Sequence, residues 1–416
     1  MSIDNSELLM LLGGKKSKST IGIAGQEGFG VGVYGGDPAN LTAMGLTPMD
    51  GCDDPSSDNY GNYVHTNGSV MCFIPAFCYR AGNAAAPSYA RDKENALEIR
   101  DASEGEGDGF ILHRAFIDGG VQKSGFFIDK YICSKDNTGK LAVSVKNGDN
   151  ISLHSSYISS SSMPNCSGYF YDAITLGRAR GEHYSCVTAF QWSAISMLSL
   201  AHGQAAADSQ FCGWFDSAHA KNYPKGNNNN SLRDTDDYSV GWTAHSKYSK
   251  IGKTGSGSPF NKTTHNGQNC GVTDVNGSQW QTVIGWQNPS NSRVMLMKES
   301  VKAHDFTKDN RNDTAMFDAV KLSYRDGSRR WGANAFYPDA SGTNRALCGI
   351  HPRYAQSSST NLFGGDCMYM SSSSGLVLLV AGYCGSVADA GVWARYHSSW
   401  LSSSWFYSFR AAGYAS

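Results

Sequence analysis

The residues best suited to contact another molecule lie near the C-terminus, where aromatic side chains alternate with serines in GVWARYHSSWLSSSWFYSFR. Tyrosine and tryptophan offer large amphipathic surfaces with two side-chain torsions to fix, and serine adds a small hydroxyl. Antibody paratopes use this mixture. Residues 397–408 show neither strand alternation nor helical spacing, one of which a core segment should show. The segment therefore predicts an exposed contact surface, although Trp405 or Phe406 singly fits a core position equally well.

The predicted ligand-contact positions include residues of the preceding turn as well as the aromatic run. They are Tyr383, Ser386, Val387, Tyr396, His397, Ser398, Ser399, Trp400, Leu401, Ser403, Trp405, Phe406 and Tyr407. His351 with Tyr354, and the run 368–370 (Met, Tyr, Met), could form a neighbouring wall of the same site. Packing of these residues on the surface or in the core is the alternative.

No residue pattern predicts catalysis or a bound metal. The histidines with no spacing for a shared metal are His65, His113, His202, His265 and His304. Asp236 and Asp237 could help to hold calcium, but an acidic pair falls short of six or more oxygen ligands. Because no Ser-His-Asp order, phosphate loop or paired carboxylates stand out, we expect no catalytic residues, no metal and no cofactor.

Eleven cysteines are scattered singly from Cys52 to Cys384, without a C-x-x-C pair. This pattern suggests neither a zinc site nor a disulfide framework. Buried free thiols made in a reducing cytosol are the expectation.

Charge and hydropathy exclude two classes of partner. The formal net charge is −1, and no basic stripe is interleaved with aromatic residues, so we expect no nucleic acid. The longest apolar run, GLVLLVAGY from Gly375, is too short to span a membrane and predicts a buried strand. In the N-terminal segment the basic residues follow the apolar run, the reverse of a secretory signal, so we expect synthesis in the cytoplasm without a signal peptide.

The elements that must position these residues are mostly strands and turns, because glycine, serine and asparagine are abundant. Strands are predicted for VMCFIPAFCYR from Val70 and GFFIDKYICSKD from Gly125. A helix is predicted from a Thr188–Gln191 capping box to a C-cap at Gly203. Residues 221–269 are predicted to be long surface loops, and the charged segment from Ala90 a solvated loop or short helix. Trp192, Trp280 and Trp286 are predicted core anchors.

Four motifs in order resemble the formylglycine-generating-enzyme-like branch of the C-type-lectin fold. They are FFIDKYICSKD, TAFQWSAISMLSLAHG, GVTDVNGSQWQTV and the closing FRAAG, with Ser408 where the family usually has glycine. The resemblance implies an α+β fold of short twisted strands, two helices and long irregular loops. Catalytic members bind copper through two cysteines just before the last motif, whereas this chain has no cysteine after Cys384. We therefore expect no enzyme, and keep a metal-dependent oxidase using Cys367 and Cys384 as the alternative.

The C-terminal segment AGYCGSVADAGVWARYHSSWLSSSWFYSFR is more similar to the variable proteins diversified by phage and bacterial retroelements, which include phage tail receptor-binding proteins. The positions shared with that family, here called the frame, are Gly382, Ala390, Gly391, Val392, Trp393, Ala394, Arg395, Phe409 and Arg410. Serine and tyrosine at several remaining positions are the products that adenine-directed mutagenesis gives from asparagine codons, while Trp400 and Trp405 depart from that pattern.

This second resemblance implies an adhesin that presents a diversified surface, about residues 383–408, to a bacterial surface protein or glycan. It implies a location on a virion tail or a cell surface. Residues 1–119 would then serve oligomerisation, as a homotrimer, or attachment, and residues 120–416 would form the lectin-like domain.

Overall fold

The computed structural model describes residues 20–415 apart from 219–222, 291–292, 322–326, 338–341, 357–361, 372 and 374. The expectation about a signal at the N-terminus lies outside these residues. The α-helices are α1 Pro38–Ala43, α2 Tyr89–Asp92, α3 Asp172–Arg178, α4 Ala189–Ala205 and α5 Gly342–Leu347. Short 3-10 turns include Lys93–Asn95, Ala102–Glu104, Arg114–Phe116, Phe260–Thr263, Ala303–Asp305, Thr314–Met316, Leu362–Gly365 and Val387–Asp389.

The strands are short. In chain order they are β1 Leu46–Pro48, β2 Asn62–His65, β3 Val70–Pro75, β4 Phe77–Ala81, β5 Leu97–Asp101, β6 Ile111–Leu112, β7 Ile117–Asp118, β8 Val121–Gln122, β9 Gly125–Asp129, β10 Ser134–Lys135, β11 Ala142–Val143, β12 Tyr184–Cys186, β13 Trp280–Ser290, β14 Arg293–Met297, β15 Phe317–Lys321, β16 Gly327–Trp331, β17 Ala355–Gln356, β18 Cys367–Met370, β19 Leu376–Ala381, β20 Gly391–Ser399, β21 Tyr407–Ser408 and β22 Ala411–Gly413. The chain is therefore a mixed α+β protein with many strands and few helices, as predicted, although five α-helical segments are described where two were expected.

Two sheets organise the described residues. A six-stranded sheet has the order β1-β2-β3-β9-β22-β12, and a nine-stranded sheet has the order β15-β14-β13-β19-β20-β18-β16-β17 with β21 beside β13. The described residues also form a three-stranded sheet, β5-β4-β6, and two strand pairs, β7-β8 and β10-β11. The last strand, β22, lies between β9 and β12, so the end of the chain is fixed inside the first sheet. The aromatic segment before it is consequently held at both ends.

The predicted boundary between residues 119 and 120 lies inside shared structure. Strand β3 pairs with β9 in antiparallel register, with Phe73 opposite Phe127. The largest hydrophobic cluster also joins Phe77 from the first part to Trp192 and Trp286 from the second. Separate roles for residues 1–119 and residues 120–416 stay a prediction.

Helix α4 confirms its predicted start but not its predicted end. The Thr188 hydroxyl accepts the amide of Gln191, and the Gln191 side chain accepts the amide of Thr188, which completes the capping box. Gly203 is not the C-cap, because the helix continues to Ala205. The extra turn places Gln204 where its side chain bonds the backbone of Asn95 and Leu97 at the start of β5.

Other predicted elements were partly wrong. The apolar run from Val70 is two strands in different sheets, β3 and β4, separated at Ala76. The charged segment from Ala90 contains β5 as well as short helical turns. Residues 223–269 lack regular strands, as expected, but 263–266 are fully buried rather than at the surface.

Three predictions about the core are confirmed. Trp192, Trp280 and Trp286 are buried, and the indole of Trp192 donates to the Val392 carbonyl at 2.9 Å. The apolar run from Gly375 forms β19, which is buried along its whole length. All eleven cysteines are buried free thiols. No helix in the described part of the chain is long and apolar enough to cross a membrane.

Candidate ligand-binding surface

Strand β20 carries the first half of the candidate segment through the nine-stranded sheet. It runs antiparallel to β19 and parallel to β18. Its first five residues are buried, and Tyr396 is the first that is partly exposed. Every frame position is buried. The frame therefore lies in the core, and the change toward the surface begins where the frame ends.

The buried carboxylate of Asp366 explains why the frame contains glycine at position 391. Asp366 accepts the backbone amide of Trp393 at 2.8 Å. A Cβ atom on Gly391 would lie 2.0 Å from the same carboxylate oxygen, which leaves no room for a side chain. The Trp393 ring then packs against Trp331 and Phe363, with centroids 4.7 Å and 4.9 Å away. Burial raises the pKa of Asp366 well above its ordinary value.

Arg395 ties β20 to its surroundings. Its guanidinium donates to the carbonyls of Val392 and Gly349, both at 2.9 Å, and it is almost completely buried. Burial lowers the pKa of Arg395 to about 9, partly offset by the charge of Asp366, so the group is still a cation at neutral pH. A buried cation whose protons reach carbonyl oxygens is a structural cross-link.

Arg410 is a second structural cross-link, at the other end of the segment. It is fully buried, and its donors reach one side-chain oxygen and four backbone carbonyls. The acceptors are Gln281 Oε1 and the carbonyls of Asp129, Lys130, Thr273 and Asp274. Because these acceptors lie on three separate stretches of chain, Arg410 fixes the return of the segment into the first sheet.

Most predicted contact residues lie at or near the surface. Val387, Leu401 and Ser403 are exposed, and the half-buried members are Tyr383, Ser386, Tyr396, Ser398, Ser399, Trp405, Phe406 and Tyr407. We call these eleven residues the tail surface. Val387 is held at φ 53°, a conformation that β-branched residues rarely adopt, and its amide donates to the Asn228 carbonyl at 2.7 Å.

Two predicted contact residues, His397 and Trp400, are buried, with 4% of each side chain exposed. His397 lies 4.4 Å from the Trp286 ring, and its Nδ1 accepts the amide of Ser371. Trp400 packs near Phe306 in the main hydrophobic cluster. The prediction of ligand contact is wrong for these two residues as they stand, because their polar and apolar surfaces are already covered by protein.

Tyr396 is the centre of an aromatic stack that reaches the surface. Its ring lies 5.5 Å from buried Trp280 and 5.0 Å from Tyr369, nearly parallel to the latter at 20°. Strand pairing explains the contact, since Tyr369 on β18 is directly opposite Tyr396. Tyr369 is 39% exposed. Burial raises the pKa of Tyr396, so its phenol keeps its proton at neutral pH and can donate a hydrogen bond.

The residues predicted to form a neighbouring wall of the site also include both buried and exposed members. Met368 and Met370, which flank Tyr369 on β18, are buried. His351 is buried as well, whereas Tyr354 is exposed. Of these candidates, the structure brings Tyr369 into contact with the tail surface.

The loop after β20 packs on residues from distant parts of the chain. The Ser404 amide donates to the Leu153 carbonyl, and the Leu153 amide donates to the Tyr407 carbonyl. Trp405 is half-buried between His154, at 4.5 Å, and Tyr248, at 4.0 Å between ring centroids. The loop is therefore fixed by backbone hydrogen bonds and by ring contacts on Trp405.

A second pair of rings completes the surface. Tyr383, from the turn after β19, lies 5.0 Å from Phe406. Tyr407 meets Phe170 edge to face at 4.3 Å. Residues 383–387 and 396–407, separated by the frame in sequence, are thus brought together in space.

Sequence reasoning missed His154, Tyr157 and Tyr248, which surround Trp405. They lie in irregular segments without periodicity, far from the C-terminus in sequence. Tyr248 has polar neighbours on both sides, whereas His154 follows Leu153 and Tyr157 precedes Ile158, so no common pattern marks the three residues. Only the tertiary packing of 152–157 along the tail reveals the association.

The acidic pair considered for calcium serves local structure. Asp237 forms a 2.6 Å ion pair with Lys262, which lowers the pKa of its carboxyl to about 2 against the opposing effect of burial. The neighbouring buried Asp234 accepts the amides of Asp236 and Asp237. Within the described ranges, no three His, Cys, Asp or Glu side chains come together as metal ligands.

The cysteines considered for the oxidase alternative are buried. Burial raises the pKa of Cys384 to about 11 and also raises that of Cys367. Both are therefore thiols at neutral pH, and a thiol is a far weaker nucleophile than a thiolate.

The chain is thus an α+β protein that carries a half-exposed aromatic and serine-rich surface on a buried frame. No family model matches it, and no curated protein matches it. Among solved structures, it is similar to the Major Tropism Determinant U1 variant, with 10% identity and a TM-score of 0.31, over 83% of this chain and 63% of that one. The M1 variant gives 12% identity and a TM-score of 0.30 over the same shares.

PvdO from Pseudomonas aeruginosa is also similar, with 9% identity and a TM-score of 0.27, over 84% of this chain and 95% of that one. The present chain spans 63% of the length of the tropism-determinant structures. Identities and TM-scores this low show neither a shared family nor a shared function.

Proposed function

We propose that this protein is a receptor-binding adhesin of a phage or prophage tail, which presents the tail surface to a bacterial surface protein or glycan. In this proposal the chain has a C-type-lectin-like fold of the formylglycine-generating-enzyme type, acts as a homotrimer on the virion, and is not an enzyme. Residues 383–408 are its variable segment.

The observation that carries the proposal is the division between buried frame and outward positions. Positions shared with the retroelement-diversified proteins lie in the core, whereas most of the interchangeable positions between them lie at or near the surface. A segment that varies without unfolding the protein needs this division, because substitutions in a packed core cost several kcal/mol and surface substitutions cost little.

The chemistry of the surface also fits protein or glycan recognition. Tyr383, Tyr396 and Tyr407 each present a phenol at the edge of an apolar ring, and each ring is already held by another aromatic ring. Pre-ordered rings lose little conformational entropy on binding. Exposed Leu401 and Ser403 add an apolar and a hydroxyl contact beside them.

Introducing negative charge on the tail surface can separate binding from folding. In the double variant Val387→Asp/Leu401→Asp, both substitutions fall on exposed side chains, 44% and 64% exposed. Aspartate tolerates the positive φ of position 387, so the fold should be kept. We expect labelled full-length protein to bind susceptible bacterial cells at least about tenfold more weakly, with a Tm within about 2 °C of the original. Flow cytometry over a strain panel and calorimetry give the two readouts.

The matched control is Ile23→Asp/Val121→Asp, which adds the same charges at two exposed apolar residues outside the tail surface. It should leave cell binding unchanged. Equal losses in both variants would contradict a specific role for the tail surface. Trp400 is left out of the test because truncating a buried tryptophan costs about 3–5 kcal/mol of stability and would confuse the result.

The metal-dependent oxidase is the remaining alternative, and no contact among the described residues favours it. Metal analysis of protein made in metal-replete cells tests it. Stoichiometric copper or iron, together with thiol oxidation by the loaded protein, would replace the adhesin proposal.

A further inference from the structure

We propose that a cluster of side chains next to the tail surface binds the carboxylate groups of an acidic polysaccharide. The cluster, here called the recess, consists of Lys135, Tyr157, Lys247, Tyr248 and Trp405. The proposal deepens the adhesin function and rests on it for its biological meaning. The recess itself is defined by contacts that do not depend on that function.

Two cations lie over one aromatic ring in this recess. The Lys135 ammonium is 4.3 Å from the centre of the Tyr157 ring, and the Lys247 ammonium is 5.3 Å from it. Lys135 also donates to the Tyr157 carbonyl at 2.8 Å, which fixes its position. Lysine ammonium groups held over an aromatic face are attracted by its electron density, but they keep their positive charge for another partner.

Neither lysine forms an ion pair with another described residue. Burial and the neighbouring Lys247 charge lower the pKa of Lys135, as expected for two cations brought together without an acid between them. The carboxylate of Asp149 is close enough to Tyr157 to help burial raise the pKa of its phenol, and it also accepts the Ser246 amide and faces His245 and Lys253. Asp149 forms no ion pair with either Lys135 or Lys247, so an anion would relieve the repulsion between these two lysines.

The recess is continuous with the tail surface. Trp405, a tail residue, contacts both Tyr157, at 5.6 Å, and Tyr248, at 4.0 Å. The Ser155 amide also donates to the hydroxyl of Ser403, which belongs to the tail surface. A polymer lying on the tail surface could therefore reach the lysines without any movement of the backbone.

The surroundings favour a hydroxyl-rich polymer over an acidic peptide. Ser155, Ser156 and Ser403 are exposed beside the recess and offer hydroxyl donors and acceptors. The largest apolar ring, Trp405, already packs against His154 and Tyr248, so part of its surface is not available to a peptide side chain. Tight protein partners usually place an anchoring residue in an apolar pocket. The hydroxyls of an acidic sugar can hydrogen-bond to these serines, and its carboxylate can pair with the lysines.

The test uses the full chain with polygalacturonate and polysialic acid as carboxylated probes, dextran as a neutral probe and polyglutamate as an acidic peptide. We expect at least one carboxylated polysaccharide to bind, and its affinity to fall as salt is raised. Lys135→Gln/Lys247→Gln should weaken that binding about tenfold or more. The charge-matched control Lys93→Gln/Lys140→Gln, at two exposed lysines outside the recess, should not.

Several results would overturn the proposal. These are no binding of either carboxylated polysaccharide, equal losses in both double variants, equal binding of dextran, or preferential binding of polyglutamate, which would indicate an acidic peptide partner. Failure of the adhesin function is distinguishable. In that case the wild-type chain would bind no bacterial strain, while it still bound carboxylated polysaccharide and Lys135→Gln/Lys247→Gln still weakened that binding.

Discussion

At the scale of single residues, Gly391 gives a sharp test of why the frame is buried. Its place beside the Asp366 carboxylate predicts that Gly391→Ala costs about 1–3 kcal/mol, although alanine usually stabilises an extended strand relative to glycine. Urea denaturation measures the free energy of unfolding. Gly241→Ala is the control, because the nearest atom to its added Cβ is 3.6 Å away. An equal or smaller loss at position 391 would argue against a steric origin of the frame glycine.

Residue types alone could not separate contact positions from core positions within the tail. His397 follows Tyr396 directly on β20, yet the His397 ring faces Trp286 and the Tyr396 ring faces Tyr369. Alternation of faces explains this, but the sequence does not reveal that the strand extends to Ser399. Trp400 and Trp405 likewise look equivalent in sequence, and only packing makes one buried and the other half-exposed.

At the scale of elements, the capping box of α4 should contribute measurably to stability. Thr188→Ala removes the hydroxyl that accepts the buried Gln191 amide, so we expect a loss of about 1–2 kcal/mol in the free energy of unfolding. Thr188→Ser keeps the hydroxyl and should lose less than half of that amount. Chemical denaturation followed by circular dichroism compares the two variants. Similar losses for alanine and serine would mean that the methyl group, rather than the cap, supplies the stability.

Elements specified by local chemistry were predictable, and those specified by distant partners were not. The start of α4 follows from Thr188 and Gln191, three residues apart. Its end depends on Gln204 reaching the backbone of Asn95 and Leu97, a contact that no local pattern encodes. The break at Ala76 is similar, since β3 and β4 join different sheets whose other strands lie elsewhere in the chain.

At the scale of the whole molecule, the abundance of strands and turns followed from composition and the α+β class was implied by the resemblance, whereas the way in which residues 1–119 join residues 120–416 followed from neither. Strand β9 pairs with β3 from one side and with β22, the last strand, from the other. Such long-range pairing has no signature in a single sequence. Buried polar contacts reinforce it, as Arg410 shows by donating to backbone carbonyls on two stretches of chain and to the side-chain oxygen of Gln281 on a third.

Three buried histidines make the assembled molecule sensitive to acid. His113, His202 and His265 each accept a backbone amide at Nδ1, so each must be neutral in the fold. The donors are the amides of Ala115, Gly25 and Val272. Burial lowers the pKa of His113 and His265 to about 3 and that of His202 to about 4. In the unfolded chain these groups titrate near their ordinary value of about 6.5.

The unfolded chain therefore binds more protons below pH 6.5, so stability is complete above that pH and falls as the pH drops toward the folded pKa values. Each histidine contributes a slope approaching about 1.4 kcal/mol per pH unit, or about 4 for the three together. Buried carboxyls with raised pKa, such as Asp366, have the opposite sign, because protonation at low pH favours their folded form.

His202→Gln isolates one histidine from these opposing effects. Glutamine can still accept the Gly25 amide and donate to the Phe211 carbonyl, as His202 does, but it cannot take up a proton. Between pH 7.5 and 5.5, the free energy of unfolding of this variant should fall less than that of the original, by about 1.4 kcal/mol over the whole range, because the unfolded histidine is half protonated near pH 6.5. Urea titrations at four pH values give both slopes. Parallel slopes would mean that His202 has the same pKa in the folded and in the unfolded chain, which would contradict the prediction.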